Sequence, residues 1–225
     1  MASTLVSLKL LFVSFFKIFY YNPKSVDIEE ITKSIFDEFN RELSDDFEHL
    51  VGINSHVKEM MNLVSTMSDD DLRFIGIWGM PGIGKTTLAS IIYNRICHQF
   101  EASSFIRDIR EIVEKDKQGL VKLQKQLLFE TLMVKEVNIW NHHEGIKVIK
   151  KGLLNKKVLI VLDDVDKDEQ LKALAGSPDW FGQGSRIIIT STDMHLLIRH
   201  HRDTIVHRAN GLDNDEALEL FSWTV

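Results

Sequence analysis

Cysteine and proline are scarce in this chain, and negative charge outweighs positive charge. The 225 residues include one cysteine, Cys97, and three prolines. A single cysteine excludes an internal disulfide framework and favours a reducing, cytoplasmic compartment. The formal net charge of −6 argues against a nucleic-acid partner, because nucleic-acid-binding proteins usually present a basic face.

Acidic residues are absent from the first 21 positions, which are mostly apolar. Lys9 and Lys17 interrupt this run, so it falls short of the roughly 20 apolar residues that a membrane helix needs. No small-residue cleavage site of the kind found in signal peptides follows it. We interpret residues 1–22 as an apolar extension, disordered or weakly associated with a membrane, and do not favour a membrane role.

Hydrophobic residues make up 44% of the sequence and charged residues 27%, which is typical of a globular protein with a buried core. Within residues 23–47, Ile28, Ile31 and Ile35 recur at helical spacing and predict a helical linker. Another amphipathic helix is predicted within residues 50–65.

After residue 72, short apolar runs alternate with helical stretches. The runs predicted as strands are 73–78, 103–109, 157–162, 186–190 and 204–208, and the predicted helices lie around 85–98, 119–134, 143–153, 168–174 and 193–200. This alternation favours right-handed crossovers and a parallel sheet. We predict an α/β fold in which helices flank a parallel β-sheet on both faces, after a short helical N-terminal lead-in. The main domain spans 48–210, and 211–225 is expected to be the truncated start of a following helical subdomain.

One segment between a predicted strand and a predicted helix has the spacing of a phosphate-binding loop. GMPGIGKT, residues 79–86, matches the pattern G-x-x-x-x-G-K-[ST]. Glycines let the backbone approach an anion closely, and the following helix directs its N–H groups and positive dipole end at phosphates. Lys85 would reach the β- and γ-phosphates, and the Thr86 hydroxyl would coordinate Mg²⁺. The predicted nucleotide-binding residues here are Gly79, Gly82, Ile83, Gly84, Lys85, Thr86 and Thr87.

Two aspartates follow an apolar strand in KKVLIVLDDVD, residues 156–166. A phosphate-binding loop needs an acidic partner for its metal ion, and Asp163 is predicted to hold Mg²⁺ directly or through water. Asp164, one step further, would orient or deprotonate an attacking water and is the predicted catalytic residue. Together with the loop, the two carboxylates indicate a P-loop NTPase fold.

A second buried strand ends in hydroxyl side chains, in the segment GSRIIITSTD, residues 184–193. Thr190 is predicted to contact the nucleotide, because a hydroxyl at this strand end can donate a hydrogen bond to phosphate. The alternative is that these Ser, Thr and Asp residues cap the next helix.

Nine histidines raise the question of a metal site. His142–His143 and His200–His201 are sequence neighbours, and adjacent side chains usually point in different directions. His195 lies near the second pair, but no cysteine or carboxylate spacing supports a site, so the histidines are not predicted to bind metal.

With these motifs in order, the chain resembles the NB-ARC domain of plant NLR disease-resistance proteins, in the branch that carries a TIR domain. The resemblance covers about residues 48–225. FIRDIRE (105–111), LQKQLLFETL (123–132) and GLDNDEALELFSW (211–223) are similar to later motifs of that domain. LVGI (50–53) resembles the loop that lies against adenine in the family, which implies that Val51 and Gly52 contact the base.

The resemblance implies a molecular switch in plant innate immunity. Family members rest with ADP, exchange it for ATP when a pathogen is perceived, and then oligomerise to signal. The implied cofactors are ADP or ATP and Mg²⁺. The implied partners are the adenine nucleotide and, through self-association or binding, other copies of the chain or full-length NLR proteins.

The sequence departs from the family pattern at the strand end. Where the family usually has Thr-Thr-Arg-Asp, this chain has Thr190-Ser191-Thr192-Asp193. Thr192 therefore stands where an arginine would reach the γ-phosphate, and we expect slow or absent ATP hydrolysis. The chain also contains no TIR residues for NAD cleavage and stops before the second half of the module.

Two other functions remain open from the sequence. A small-molecule or nucleotide kinase would share the phosphate-binding loop, but it needs an arginine-bearing lid and an acceptor-binding region. A non-switching interaction fragment or decoy would keep the fold without nucleotide exchange.

Overall fold

The computed structural model describes residues 52–65, 71–134, 137–201, 203–211 and 222. Val51, the predicted extension 1–22, the predicted linker 23–47 and almost all of the predicted subdomain 211–225 lie outside those residues. None of the helices in the described ranges combines the length and the apolar character that crossing a bilayer requires.

Five parallel strands form one sheet. They are β1 (Arg73–Trp78), β2 (Ala102–Ile106), β3 (Val158–Leu162), β4 (Arg186–Ser191) and β5 (Ile205–Arg208). Their order across the sheet is β2-β3-β4-β1-β5. Strand β4 therefore lies between β1, which leads into the phosphate-binding loop, and β3, which leads into the two aspartates.

Helices connect successive strands and flank the sheet. The α-helices of the described ranges are α1 (Ile53–Ser65), α2 (Lys85–Ile96), α3 (Ile109–Lys115), α4 (Gly119–Leu132), α5 (His142–Leu153), α6 (Asp168–Ala175) and α7 (Met194–His200). Short 3-10 helices occupy Cys97–Gln99 and Pro178–Trp180.

Burial along the strands shows why the sequence adopts this arrangement. Every residue of β3 and β4 is buried, as expected for parallel strands covered by helices on both faces. Leu159, Ile160 and Val161 are each 0% exposed. The predicted α/β fold with a parallel sheet between helices is confirmed.

One predicted strand is shorter than expected. The run predicted over 103–109 ends as a strand at Ile106, and α3 begins at Ile109. Between them Asp108 adopts the left-handed region, with φ 52°, which turns the chain out of the sheet. The Ile109 N–H then donates to the Asp163 carbonyl (3.1 Å), so a tertiary contact fixes the start of a helix that the local pattern did not indicate.

His201 packs beside the first strand. Its ring centroid lies 4.1 Å from that of Phe74, and its Nε2 is buried without a hydrogen-bond partner. The pKa of His201 is lowered from 6.5 to about 4, mainly by burial and also by the His200 charge, while Asp203 opposes the shift. The neutral ring is therefore the form compatible with the folded protein.

We expect the stability of the protein to fall as the pH decreases from about 6.5 towards 4. The unfolded chain takes up a proton on His201 near pH 6.5, whereas the folded chain does so only near pH 4, and this difference favours unfolding. Urea unfolding at pH 7.5 and pH 5 measures the effect. His201→Phe keeps an aromatic ring against Phe74 and should reduce the pH dependence, whereas His195→Gln, at an exposed position of α7, should not. An unchanged pH dependence in His201→Phe would contradict this assignment.

Candidate functional site

The strand register brings three predicted site segments to one edge of the sheet. Ile77 in β1 lies opposite Thr190 in β4, and Leu162 in β3 lies opposite Ile189 in β4. Because the strands are parallel, their carboxyl ends meet at this edge, where ligands bind in open α/β sheets. The phosphate-binding loop, Asp163 and Thr190 therefore lie side by side.

Two glycines of the loop have backbone conformations that favour glycine. Gly82 has φ 78° and Gly84 has φ 93°, and a Cβ on either residue would meet no other atom within 4 Å. Gly84 is the N-cap of α2 and no side chain caps that helix. Because the first N–H groups of a helix lack intrahelical partners, the first turn, which contains Lys85, Thr86 and Thr87, is suited to bind an anion.

Gly79 has a structural role in addition to the one that the sequence suggested. A Cβ at this position would lie 2.9 Å from the Ala209 carbonyl oxygen and 3.0 Å from Cγ2 of Ile83. The Ala209 N–H also donates to the Trp78 carbonyl (2.8 Å). The missing side chain at 79 thus permits close packing of the loop against the chain that follows β5, and not only the approach of a ligand.

Lys85 is 8% exposed and lies at the base of the loop. Its Nζ donates to the carbonyl oxygens of Gly79 and Met80, both at 2.9 Å. Burial lowers the pKa of Lys85 below its usual value, the charges of Asp164 and Asp163 act in the opposite direction, and Arg110 lowers it further. The lysine therefore lies within the loop that the sequence assigned to phosphate, where both carboxylates favour its charged form.

Asp163 directly follows β3 and contacts both the start of α2 and the end of β4. It is 1% exposed, and its Oδ1 accepts hydrogen bonds from the hydroxyls of Thr86 (2.9 Å) and Thr190 (2.7 Å). Mg²⁺ binds oxygen ligands octahedrally at about 2.0–2.1 Å, which places neighbouring ligands about 2.9 Å apart. The Thr86 hydroxyl and the Asp163 carboxylate fit this spacing, so these residues would hold the metal ion.

Asp164 has a constrained backbone, with φ 57°. Its N–H donates to the Thr190 hydroxyl (2.8 Å), and its Oδ2 lies 2.9 Å from Nη2 of Arg110. Arg110 belongs to the FIRDIRE motif but was given no role from sequence, because α3 was not predicted. The resulting ion pair partly neutralises Asp164, and Arg110 adds a cation to the site.

Two alternatives were open for the residues at the end of β4: a place in the phosphate site, or capping of the next helix. The structure places one residue beside Asp163 and uses another as a cap. Thr190 faces Asp163, as described above, whereas the Asp193 carboxylate caps α7 by accepting from the N–H groups of His195 (2.8 Å) and Leu196 (3.2 Å). Between them, Thr192 is exposed, and its carbonyl accepts from the Trp78 indole N–H (3.1 Å).

The remaining predicted contacts lie near these segments or outside the described residues. Gly52 has φ 78° and immediately precedes α1, and its carbonyl accepts from the Ser55 hydroxyl (3.1 Å). The Ile83 N–H donates to the Met80 carbonyl (3.3 Å) within the loop. Val51 lies outside the described residues, so its contact with adenine remains a prediction.

Comparisons with known proteins identify relatives over most of the chain. The NB-ARC domain family matches residues 53–225. The disease resistance proteins RPV1 and RUN1 of Vitis rotundifolia are 44% and 43% identical to this chain over 200 residues, which is 88% of the chain but only 14% and 15% of those proteins. The TMV resistance protein N of Nicotiana glutinosa is 40% identical over 181 residues, 77% of this chain and 15% of that protein. The chain thus spans about one seventh of the length of these relatives.

We expect Thr190→Val to lower the free energy of unfolding by about 1–3 kcal/mol, because a buried polar group left without its partner costs this much. Valine keeps the shape of threonine, but it removes the hydroxyl that donates to Asp163 and accepts from the Asp164 N–H. Urea denaturation without nucleotide measures the loss. Thr190→Ser, which keeps the hydroxyl, is the matched control, and equal losses in both variants would show that the hydrogen bonds are not responsible.

Proposed function

Because the chain belongs to the NB-ARC domain family, we propose that it is the nucleotide-binding module of a plant defence switch that holds ADP or ATP with Mg²⁺. Membership implies an adenine-nucleotide-binding domain, and the curated relatives are named as disease resistance proteins. The switch, the metal ion and the roles of individual residues are our proposals.

The observation that carries the proposal is the cluster around Asp163. Its Oδ1 lies within hydrogen-bond distance of both the Thr86 hydroxyl, at the start of α2, and the Thr190 hydroxyl, at the end of β4. The cluster lies beside the loop formed by Gly82 and Gly84, whose positive φ values and open surroundings support a phosphate cradle. Mg²⁺ bound there would neutralise charge on the β- and γ-phosphates.

The proposal gives each part of the site one role. The N–H groups at the start of α2 and the Lys85 ammonium bind phosphate, and Thr86 with Asp163 holds the metal ion. Gly52, at the start of α1, is proposed to lie against adenine.

We propose that hydrolysis by this chain is slow or absent. An arginine at the γ-phosphate can accelerate phosphoryl transfer by roughly 10³–10⁵, and Thr192 supplies no charge. Arg110 carries a charge, but it is paired with Asp164 at 2.9 Å. Asp164 is proposed to orient or deprotonate an attacking water in whatever turnover remains.

For the resting state, we propose that ADP is favoured. The loop and Lys85 hold the β-phosphate of either nucleotide, whereas Thr192 provides little that is specific to the third phosphate. A ligand shifts a conformational equilibrium only through its differential affinity for the two states. A weaker contact to the γ-phosphate therefore biases the switch towards its ADP-bound form. Defence signalling by self-association or through full-length NLR proteins is proposed from the family alone.

We expect Lys85→Ala to weaken binding of both ADP and ATP by roughly 10- to 150-fold, since a hydrogen bond to a charged group contributes about 1.5–3 kcal/mol. Titration calorimetry with Mg²⁺ present measures the affinity. Lys151→Ala, at an exposed position of α5, is the control, and thermal unfolding without nucleotide checks that the loop still folds. Unchanged affinity in Lys85→Ala would refute the phosphate assignment and favour an interaction fragment.

We expect Thr192→Arg to raise the affinity for ATP relative to ADP by about 1–2 kcal/mol, the lower part of the range for charge-assisted bonds. Residue 192 is exposed, so an arginine can be introduced without displacing the core. Competition of ATP against labelled ADP, with Mg²⁺ present, gives the preference. Thr192→Gln supplies a long neutral side chain as the matched control. If all three proteins show the same preference, residue 192 does not contact the third phosphate.

A further inference from the structure

A group of metal-ligating side chains lies apart from the phosphate-binding loop, between α1 and β5. It consists of His56 and Glu59 of α1 and His207 of β5. One nitrogen from each histidine and one carboxylate oxygen of Glu59 all lie within 4.8 Å of one another. We propose that these three residues bind a divalent transition-metal ion, with Zn²⁺ as the ion best suited to them.

The two histidines supply the strongest geometric evidence. Nδ1 of His56 lies 3.2 Å from Nε2 of His207. In a tetrahedral zinc site with bonds of about 2.0–2.1 Å, neighbouring nitrogen ligands lie about 3.3–3.4 Å apart. The rings meet edge to face, with centroids 5.3 Å apart and planes at 81°. The two nitrogens therefore already lie at nearly the separation that a shared ion requires.

Helix geometry places the third ligand on the same side. His56 and Glu59 are three residues apart on α1, so their side chains share one helix face. Oε1 of Glu59 lies 3.7 Å from Nδ1 of His207, whereas His56 faces Nε2 of the same ring, so the Glu59 carboxylate must turn to reach an ion bound between the two histidines. The Glu59 side chain is 68% exposed and that of His207 is 3% exposed, so the carboxylate can move to an ion while the imidazole remains fixed by its surroundings.

The chemistry of the group matches zinc better than magnesium. Two imidazoles and one carboxylate are ligands typical of zinc sites, with a fourth position left for water, whereas Mg²⁺ prefers oxygen ligands.

An ion at this position would tie two parts of the chain that are distant in sequence. His56 and His207 are 151 positions apart. His207 lies opposite Ile77 of β1, two residues before the phosphate-binding loop, and His56 lies one turn after Gly52. The proposed ion therefore joins α1 to the sheet.

The test is titration of the full 225-residue chain with Zn²⁺, in chelator-treated buffer without nucleotide. Excess Mg²⁺ is included to compete with zinc for the oxygen ligands near Asp163. We expect the chain to bind one equivalent of Zn²⁺. His56→Asn and Glu59→Gln should each weaken binding at least about tenfold, because even residues that only support a metal ligand contribute 10- to 100-fold.

Both variants leave the buried His207 in place, and thermal unfolding without metal checks that they fold. His143→Gln is the matched control, because His142 and His143 form another close pair, with ring centroids 4.0 Å apart. Cobalt in place of zinc gives a second measurement, since its visible spectrum reports nitrogen coordination. The proposal is refuted if the chain binds no Zn²⁺, if His56→Asn and Glu59→Gln bind it as tightly as the unmodified chain, or if only His143→Gln loses it.

Discussion

The candidate site depends on one carboxylate oxygen. Oδ1 of Asp163 accepts from a hydroxyl at the start of α2 and from another at the end of β4, so three separate segments converge on a single atom. A carboxylate that is 1% exposed is tolerated only where hydrogen bonds or charge replace its lost hydration. The two threonines provide those bonds, and they also lie where a metal ion would find further oxygen ligands. The same contacts therefore serve the folded protein and the proposed ligand.

The order of the strands makes this convergence possible. Strand β4 lies between β1 and β3, so its last residues adjoin both the phosphate-binding loop and the aspartates. From this central position the Thr190 hydroxyl contacts both aspartates, because it donates to Asp163 and accepts from the Asp164 backbone N–H. Asp164 is then oriented towards Arg110, which arrives from the segment after β2. The site is thus formed by residues at or just after the carboxyl ends of four different strands.

Local patterns in the sequence predicted most of the sheet. Strand β1 was predicted at its observed limits, and β3 and β4 to within one residue, because continuous apolar runs and flanking glycines are local signals. Helix α3 was missed, since it starts after a left-handed Asp108 and a backbone contact to Asp163. Neither feature produces a periodic pattern of apolar residues in the sequence.

For the site, the sequence indicated which residue types take part, but not which side chains contact one another. The spacing of the loop and the paired aspartates predicted that phosphate and metal ligands would come together, yet their nucleotide contacts remain predictions. The ion pair of Arg110 with Asp164 and the contact between His56 and His207 join elements far apart in the chain. Such pairs depend on how helices pack on the sheet, which single-sequence patterns do not specify.

The contact between Gly79 and Ala209 affects how genetic variation in the loop should be read. A side chain at 79 collides with a backbone carbonyl, whereas at 82 or 84 it meets open space and only an unfavourable φ. If a variant at 79 loses function, the first explanation to test is therefore that the protein misfolds and is present at a lower level in the cell. Variants at 82 and 84 distinguish folding from ligand binding more cleanly, although all three glycines belong to the same motif.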